Sequence, residues 1–456
     1  MDLPRLALPL ILLAAGPDYD QVCRDAHGVL TDLVAQDTTN PPGNEIAAAQ
    51  VAAQRFRSAG LSPQLLESSP GRGSVIVRLK GDGSKRPVLY LAHLDVVAAG
   101  PRQLWSTDPF KLTEKDGYLY GRGVMDDKGM GAIGVSLITD LKRRGLQLAR
   151  DVIVALTADE EGGGDAGIVW LLKNHRELID AEFAINEGAG ARLDANQLQY
   201  VGLQSDEKSY HTFFLETEGP GGHSSVPLHD NAIYRLAAVL VRLGRFQFPP
   251  RLTETTRAYF SELAKHERRE KPRLIRAILE AKGRLPRREV DELSQSPNLN
   301  ALLRTTCVAT QIEGGHAENA LPQTAKATVN CRVLPGEPSV IETLSHVVGD
   351  PMVRIREDRP IGESSPSKLE GPVRDAARKI VATMSPGVPL LPVLSTGATD
   401  SRHLRLAGIP SFGLRPFPAN DDDARRQHGR DERVLATSFR YGCEFLYRTV
   451  EELAKQ

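Results

Sequence analysis

The sequence predicts a mixed α/β domain with a largely parallel sheet, interrupted by an inserted α+β domain. Apolar strand-like runs alternate with helical patterns as far as residue 206, and this alternation resumes at residue 363. Between these parts, residues 207–362 contain two β–α units and a hairpin. The chain of 456 residues also exceeds what one hydrophobic core usually serves, so two domains are expected.

The first part of the α/β domain is predicted at residues 17–206. Its helices are predicted at 19–36, 44–59 and 131–145. Its strands are predicted at 74–80, 87–97, 151–158 and 181–188. In an open sheet of this kind, functional side chains gather beyond the carboxyl ends of the strands.

The inserted domain and the second part of the α/β domain complete the predicted fold. The inserted domain is expected to contain strand 210–219, helix 231–246, a charge-rich helical segment at 252–294, a hairpin of 305–315 with 326–336, helix 338–349 and strand 351–358. The second part, residues 363–456, is expected to contain helices 372–384 and 435–454, with a glycine-containing turn at 395–404. An inserted domain of about 150 residues has an ordinary domain size.

Composition narrows the classes of partner. The formal net charge is −1, which gives no electrostatic reason to expect nucleic acid or an anionic membrane. A peptide or another small molecule is therefore the expected partner. No run after the N-terminus approaches the ~20 apolar residues of a membrane span, so none is predicted.

The N-terminus resembles a secretory signal. Residues 1–16 contain one basic residue, an apolar core from Leu6 to Leu13, and the small residues Ala14, Ala15 and Gly16. An exported, periplasmic or secreted protein is predicted from this pattern. An apolar extension or a misplaced start is the alternative, and the protein would then be cytoplasmic.

The four cysteines lack CxxC spacing, so a thiolate metal site is not expected. Cys307 and Cys331 are equally distant in sequence from Asn319, between two strand-like runs. A hairpin could bring them opposite each other. Export would allow a disulfide between them, and buried free thiols are an equal alternative, so the sequence does not decide between the two states.

Side chains suited to a metal occur where apolar runs end. LAHLD contains His93 and Asp95, GRGVMDDKG contains Asp126, TADEEGGG contains Glu160 and Glu161, and INEGAG contains Glu187. Carboxylates and imidazoles that converge from several strand ends suit a hard or borderline divalent ion, and zinc accepts this mixture of ligands. A metal would also supply positive charge to the three adjacent carboxylates Asp159–Glu161, which otherwise repel one another.

The spacing of His93 and Asp95 suggests a division of roles. Alternate residues of a strand point the same way, so both side chains lie on one side. His93 can bind a metal through one imidazole nitrogen while Asp95 accepts a hydrogen bond from the other and fixes the ring.

The motifs together resemble one enzyme family. HLDVV, GRGVMDDKG, TADEEGGG, NEGAG, GPGGHSSVP, NALPQTAKATVNCRV, STGATD and HGRDERV occur in the order typical of M20 metallopeptidases, between residues 20 and 455. This family includes aminoacylases, carnosinase-like dipeptidases, glutamate carboxypeptidases and succinyl-diaminopimelate desuccinylases. Each motif alone is unspecific, but eight in order are specific.

The resemblance implies a metal centre with two zinc ions, for which Co²⁺ or Mn²⁺ can substitute. Asp126 would bridge the two ions. Glu161 and His428 would complete one site, and His93 and Glu187 would complete the other. Two metals bridged by a carboxylate can hold a water and polarise a carbonyl.

The resemblance also implies roles for residues that do not bind metal. Glu160 resembles the general base, and His223 resembles the inserted-domain histidine that stabilises the oxyanion, often across a dimer interface. Asn319 and Arg332 resemble residues that bind the terminal carboxylate of the substrate, and Gly397 would let the backbone approach it.

The predicted activity is zinc-dependent hydrolysis of an amide or peptide bond next to a free carboxylate, by an exopeptidase of the carboxypeptidase or dipeptidase kind. An N-acyl-amino-acid deacylase is the alternative within the family. A non-catalytic homologue that binds metal or peptide is the alternative from another class, and it would be expected to lack a ligand or the base. The inserted domain would act in dimerisation or as a lid, and a homodimer is expected.

Overall fold

The computed structural model describes residues 16–266, 271–358 and 365–455. Residues 1–15 of the predicted signal segment lie outside the described residues. The helices are α1 (Tyr19–Val34), α2 (Glu45–Ser58), α3 (Lys128–Arg144), α4 (Ile168–Asn174), α5 (Arg176–Ile179), α6 (Ala232–Arg245), α7 (Glu254–His266), α8 (Lys271–Glu280), α9 (Arg287–Leu293), α10 (Pro297–Leu303), α11 (Val340–Val348), α12 (Pro372–Met384), α13 (Ser401–Leu406), α14 (Asp421–Arg426) and α15 (Ala436–Lys455).

The strands alternate with these helices along most of the chain. They are β1 (Gln64–Glu67), β2 (Gly73–Leu79), β3 (Val88–His93), β4 (Thr113–Lys115), β5 (Tyr118–Tyr120), β6 (Val152–Thr157), β7 (Phe183–Asn186), β8 (Ala191–Asp194), β9 (Gln197–Glu207), β10 (Ser209–Glu218), β11 (Gly222–His223), β12 (Thr306–Gly314), β13 (Ala320–Leu321), β14 (Thr324–Val333), β15 (Val353–Asp358), β16 (Leu390–Ser395), β17 (Ser411–Gly413), β18 (Pro418–Ala419) and β19 (Arg433–Leu435).

The predicted helices and strands are present, with their ends shifted by a few residues. The charge-rich segment forms α7, α8 and α9. Sequence analysis missed the β8–β9 hairpin and β16, which contribute to the sheet of the second unit described below. The mixed α/β fold class is confirmed.

The described chain forms two compact units. The first contains residues up to Trp170, His175–Ala181 and the residues from Asp421 onward. The second contains Leu171–Asn174 and Glu182–Asn420. The domain bounds predicted at residues 206 and 362 stay a prediction.

The first unit contains the sheet strands β1–β2–β6–β3, in that order, and a small sheet of β19–β5–β4. β3 and β6 are parallel, so both present their carboxyl ends at one edge. Helix α3 packs against β3, where a Cβ at Gly134 would lie 2.7 Å from the Tyr90 ring, so only glycine allows this approach. A disulfide between Cys23 and Cys443 joins α1 to α15, a pairing that the sequence did not predict.

The second unit contains the strands β7–β17–β9–β8–β18, with β16 parallel to β9. It also contains an antiparallel sheet in the order β12–β14–β10–β15. Helices α6 and α11 pack against this sheet around Phe213, Leu236 and Leu344. Cys307 and Cys331 lie opposite each other on β12 and β14 and form a disulfide, so the free-thiol alternative is not observed.

Helices α7–α10 have an apolar core of their own, which includes Phe260, Ile275 and Leu303. Within the described part of the chain, the helices are too short or too polar to cross a membrane.

Candidate metal centre

Four predicted metal ligands converge in the first unit. His93 is the last residue of β3, and Glu161 follows β6, whose carboxyl end lies at the same edge. Asp126 lies in the turn between β5 and α3, and His428 lies in the loop between α14 and β19. Three segments that are distant in sequence, which contain Asp126, Glu161 and His428, therefore meet His93 at the end of β3.

Asp126 lies at the centre of this group. Its Oδ1 is 3.2 Å from Nε2 of His93, and its Oδ2 is 3.0 Å from Nε2 of His428. Nε2 of His428 is also 3.0 Å from Oε1 of Glu161. The side-chain amide of Gln427 donates a hydrogen bond to Asp126 Oδ2 as well. The two carboxylate oxygens of Asp126 thus contact two different imidazoles, as expected of a carboxylate shared between two metal sites.

The donor atoms are close enough to hold divalent ions. Asp126, Glu161 and His428 each offer one ligand atom within 4.8 Å of the others. His93, Glu160 and Glu161 form a second group by the same measure. Imidazole nitrogens and carboxylate oxygens are the donors found in catalytic zinc sites. The residues present therefore fit the predicted metal.

The carboxylates of this group favour the protonated form of both imidazoles. Hydrogen bonds to Asp126 and then to Glu161 raise the pKa of His428 to about 10. Burial alone would lower the pKa of His93, but its hydrogen bonds to Asp126 and Asp95 outweigh burial and raise it. A metal binds neutral imidazole, so an ion entering this group would replace these protons.

Asp95 lies beside His93, as predicted, and it has a second role that the sequence did not reveal. Nδ1 of His93 lies 3.0 Å from the Asp95 carbonyl oxygen and 3.3 Å from its carboxylate. The same carboxylate accepts hydrogen bonds from the backbone N–H groups of Glu160 and Glu161, at 3.1 and 3.0 Å. Asp95 therefore orients the histidine and also holds the turn that carries the two glutamates.

Sequence analysis missed a buried network behind this turn. Asn40 donates from Nδ2 to Asp95, at 2.8 Å, and to Asp159, at 3.1 Å. The Arg72 guanidinium pairs with Asp159 at 2.7 Å and with Glu45 at 2.8 Å. Sequence analysis attributed the charge compensation of Asp159–Glu161 to metal alone, but an arginine compensates Asp159. The stretch TTNPPGNE, residues 38–45, was the available signal, because it places Asn40 and Glu45 around a rigid turn.

Burial raises the pKa of Glu45 to about 7, although Arg72 opposes that shift.

The turn that carries Asp159 is tightly packed. Asp159 has a φ of +68°, and a Cβ on Gly162 would lie 2.3 Å from the Asp159 carboxylate. The glycine after the acidic residues therefore makes room for the Asp159 carboxylate.

The remaining predicted site residues belong to the second unit. Glu187 follows β7, is 6% exposed and lies 3.6 Å from the Arg415 guanidinium. His223 lies on β11, where it accepts hydrogen bonds from the Ser225 backbone and hydroxyl at 3.1 and 2.7 Å. Gly397 lies in the loop after β16, and its N–H donates to Ser395.

Asn319 lies just before β13, on the side of the first residue of β14, whereas Arg332 lies near the last residue of β14. Asn319 precedes β13, which pairs with β11, and its carbonyl accepts a hydrogen bond from the Ser224 N–H at 3.1 Å. Arg332 lies on β14 with its guanidinium 4.5 Å from the centre of the Tyr210 ring. Burial lowers the pKa of the Arg332 guanidinium below its usual value. The structure thus brings Asn319 close to His223 through the β11–β13 pair.

Comparisons with known proteins identify relatives of this chain in sequence and in fold. The chain is 29% identical over 406 residues to the probable carboxypeptidase S-like 2 of Dictyostelium discoideum, covering 84% of this chain and 75% of that protein. It is also 29% identical over 385 residues to the human N-fatty-acyl-amino acid synthase/hydrolase PM20D1, covering 81% and 74%. Its fold resembles the M20 family metallo-carboxypeptidase Sso-CP2 of Sulfolobus solfataricus, with a TM-score of 0.71, 20% identity, and coverage of 94% and 99%.

A model of one family matches most of the chain, from residue 89 to residue 452. Together with the candidate metal-binding group around Asp126, this match supports metal-dependent amide hydrolysis. The chain belongs to peptidase family M20/M25/M40.

Proposed function

We propose that the chain is a di-zinc exopeptidase that hydrolyses an amide or peptide bond next to a free carboxylate. The observation that carries this proposal is that His93 and His428 both contact Asp126 and that His428 also contacts Glu161, with Glu160 beside them. The proposed ligands are His93, Asp126, Glu161, Glu187 and His428, and Co²⁺ or Mn²⁺ can replace zinc. The ligands and the base are all present, which argues against a non-catalytic homologue.

A pair of bound ions would polarise the amide carbonyl and lower the pKa of the attacking water. Glu160 then accepts the proton of that water and returns it to the leaving nitrogen. Its neighbour Glu161 would bind metal instead, and Asp95 holds the backbone N–H groups of both residues. His223 donates a hydrogen bond to the oxyanion that forms on the carbonyl.

Arg332 and Asn319 bind the free carboxylate of the substrate. A guanidinium pairs with a carboxylate through two parallel hydrogen bonds, so it selects a free acid over an amide. Arg332 is half-buried against Tyr210, and no carboxylate contacts it among the described residues. Its charge is therefore available to a ligand. Gly397 leaves space for the substrate backbone in this proposal.

N-acyl-amino-acid deacylation is the second candidate. It requires the same bond and the same free carboxylate, with a fatty or other acyl group in place of the peptide. Similarity to a protein named an N-fatty-acyl-amino acid synthase/hydrolase favours this candidate.

One experiment tests the activity and separates the two candidates. Purified protein is treated with a chelator, dialysed and then supplied with Zn²⁺, Co²⁺ or Mn²⁺, and hydrolysis is measured on matched panels of dipeptides and N-acyl amino acids. We expect activity to disappear with the metal and to return with it. The panel with the higher kcat/KM identifies the substrate class. Absence of turnover on both panels in zinc-replete protein would refute the proposal.

We also propose that the second unit forms a homodimer through β12. This strand is at the edge of its sheet, and Val308 and Ile312 on it are 62% and 63% exposed. Helix α6 packs along it and exposes Tyr234 and Val241. An exposed apolar edge strand is suited to pairing with a second copy. Light scattering should show a dimer that Ile312→Lys converts to a monomer, and a monomeric wild type would refute this.

Export to an oxidising compartment is a further part of the proposal. The disulfides Cys23–Cys443 and Cys307–Cys331 support it, because such bonds persist outside the reducing cytosol. Protein purified from its natural source and denatured without a reductant should show no free cysteine in a thiol titration. Four free thiols would argue for a cytoplasmic protein.

A further inference from the structure

A buried ion pair lies directly behind two of the proposed metal ligands. The Arg122 guanidinium contacts the Glu432 carboxylate at 2.7 Å, and both side chains are 1% exposed. The HGRDERV motif contains both His428 and Glu432. The proposed activity assigns no role to Glu432.

Glu432 holds the turn that carries Asp126. One of its carboxylate oxygens accepts hydrogen bonds from the backbone N–H groups of Met125 and Asp126, at 2.9 and 3.2 Å. The other accepts from the Gly123 N–H at 3.0 Å, in addition to the Arg122 guanidinium. Four donors thus fix one carboxylate, and one of them is the backbone of the proposed bridging ligand itself.

Arg122 holds the loop that carries His428. Its Nη2 donates to the carbonyl oxygen of Gly429, the residue after His428, at 2.7 Å. The guanidinium also lies 5.2 Å from the centre of the Trp105 ring, which fixes its plane. The His428 side chain is itself half exposed, so packing around the ring contributes little to its position.

The strand pairing explains why these two segments meet. β5 and β19 are antiparallel, with Tyr120 opposite Arg433. The turn that follows β5 therefore lies beside the loop that precedes β19, and the Gly121 N–H donates to the Glu432 carbonyl at 3.1 Å. The ion pair joins the turn and the loop at the point where each supplies one ligand.

We propose that Glu432 and Arg122 are positioning residues that set the distance between Asp126 and His428 and thereby the affinity of that site for a divalent ion. This inference rests on the proposed function. It predicts that residues without any contact to the metal control how tightly the metal binds, as outer partners of metal ligands do in other proteins.

Two variants test this inference. Glu432→Gln keeps the size of the side chain but places an amide against backbone N–H donors. Arg122→Lys keeps the positive charge but cannot contact Glu432 and the Gly429 carbonyl at once through two guanidinium nitrogens. This variant replaces Glu432→Gln in the test if Glu432→Gln does not fold. Affinity is measured by competition with a chromophoric chelator, and geometry by the visible absorption of the Co²⁺-substituted protein. We expect roughly 10–100-fold weaker binding, a changed Co²⁺ spectrum, and a lower kcat with little change in KM.

Glu451→Gln is the matched control. Glu451 pairs with Arg144 at 2.8 Å between α15 and α3, is also largely buried, and lies with its partner on helices that supply no proposed ligand. This variant should lower the unfolding midpoint without changing metal affinity or the Co²⁺ spectrum. Wild-type metal affinity and spectrum in Glu432→Gln or Arg122→Lys would overturn the inference alone, as would an equal loss of affinity in Glu451→Gln. A wild type that binds no divalent ion would overturn the proposed function as well.

Discussion

Each unit of the protein buries a cluster of carboxylates, and the two clusters balance their charge in different ways. In the first unit, the histidine cluster consists of His93, Asp126, Glu161 and His428. In the second unit, the arginine cluster consists of Asp206, Glu207, Arg402 and Arg405, and each of these residues is at most 8% exposed.

The difference lies in whether the positive charge can be exchanged. Glu207 is 2.9 Å from the Arg405 guanidinium and accepts hydrogen bonds from Thr399 and Gln204, both at 2.9 Å. Arginine stays charged at every physiological pH, so the positive charge of this cluster is permanent. Histidine can lose its proton, so the histidine cluster can accept a metal in place of protons. A structural role is therefore expected for the arginine cluster, and a catalytic role for the histidine cluster.

The largest effect is expected at Glu160, beside the histidine cluster. Glu160→Ala removes the proposed base and should lower kcat by roughly 10²–10⁴-fold. Zinc content, measured by mass spectrometry, should stay near that of the wild type, whereas Glu161→Ala should lose metal. If Glu160→Ala loses the metal and Glu161→Ala keeps it, the base and the ligand are the reverse of this assignment.

The arginine cluster should respond in stability rather than in catalysis. Glu207→Gln leaves Arg405 buried without its anion, and the loss of one partner of a buried pair costs roughly 3–5 kcal/mol of the unfolding free energy. Urea unfolding measures this cost, and zinc content should not change.

Glu216→Gln is the control for that variant, because Glu216 pairs at 2.8 Å with an Arg354 side chain that is 65% exposed. An exposed pair contributes about 0–1 kcal/mol. Equal costs in the two variants, or loss of zinc in Glu207→Gln, would remove the distinction between the clusters.

Asp206 adds a pH dependence with a defined sign. Burial raises its pKa from 3.8 to about 6, and Arg405 only partly opposes this. The folded state therefore holds this proton more tightly than the unfolded state, so the associated stability is present at low pH and is lost as the pH rises through about 6. Between pH 4 and 7 the wild type should lose roughly 2 kcal/mol relative to Asp206→Asn, since one pKa unit corresponds to about 1.4 kcal/mol and the unfolded carboxyl is already partly ionised at pH 4. A difference in unfolding free energy that does not vary with pH would contradict this.

The residues of the histidine cluster and their neighbours Asp95 and Glu160 are named from the sequence, whereas the buried ion pairs behind them are not. His93, Glu160 and Glu161 follow apolar runs, so strand ends alone place them at one edge of a sheet. Arg72, Glu432 and Arg405 act on partners distant in sequence, and arginine or glutamate in a surface loop has the same local pattern as in a buried pair. Burial decides their roles, and it depends on tertiary packing that periodicity does not encode.

Arg332 offers the smallest effect and the sharpest test of substrate choice. It is an arginine of the second unit, like Arg405, but it contacts Tyr210 rather than a carboxylate. Arg332→Ala should raise KM for substrates with a free carboxylate by roughly 10-fold or more, because a hydrogen bond between charged groups contributes about 1.5–3 kcal/mol. KM for the corresponding amidated substrates should hardly change.

Arg356→Ala is the matched control, since Arg356 lies 4.5 Å from the Phe214 ring in the same sheet. A loss that is equal for acids and amides, or equal in the two variants, would mean that Arg332 supports the sheet and that another residue recognises the carboxylate.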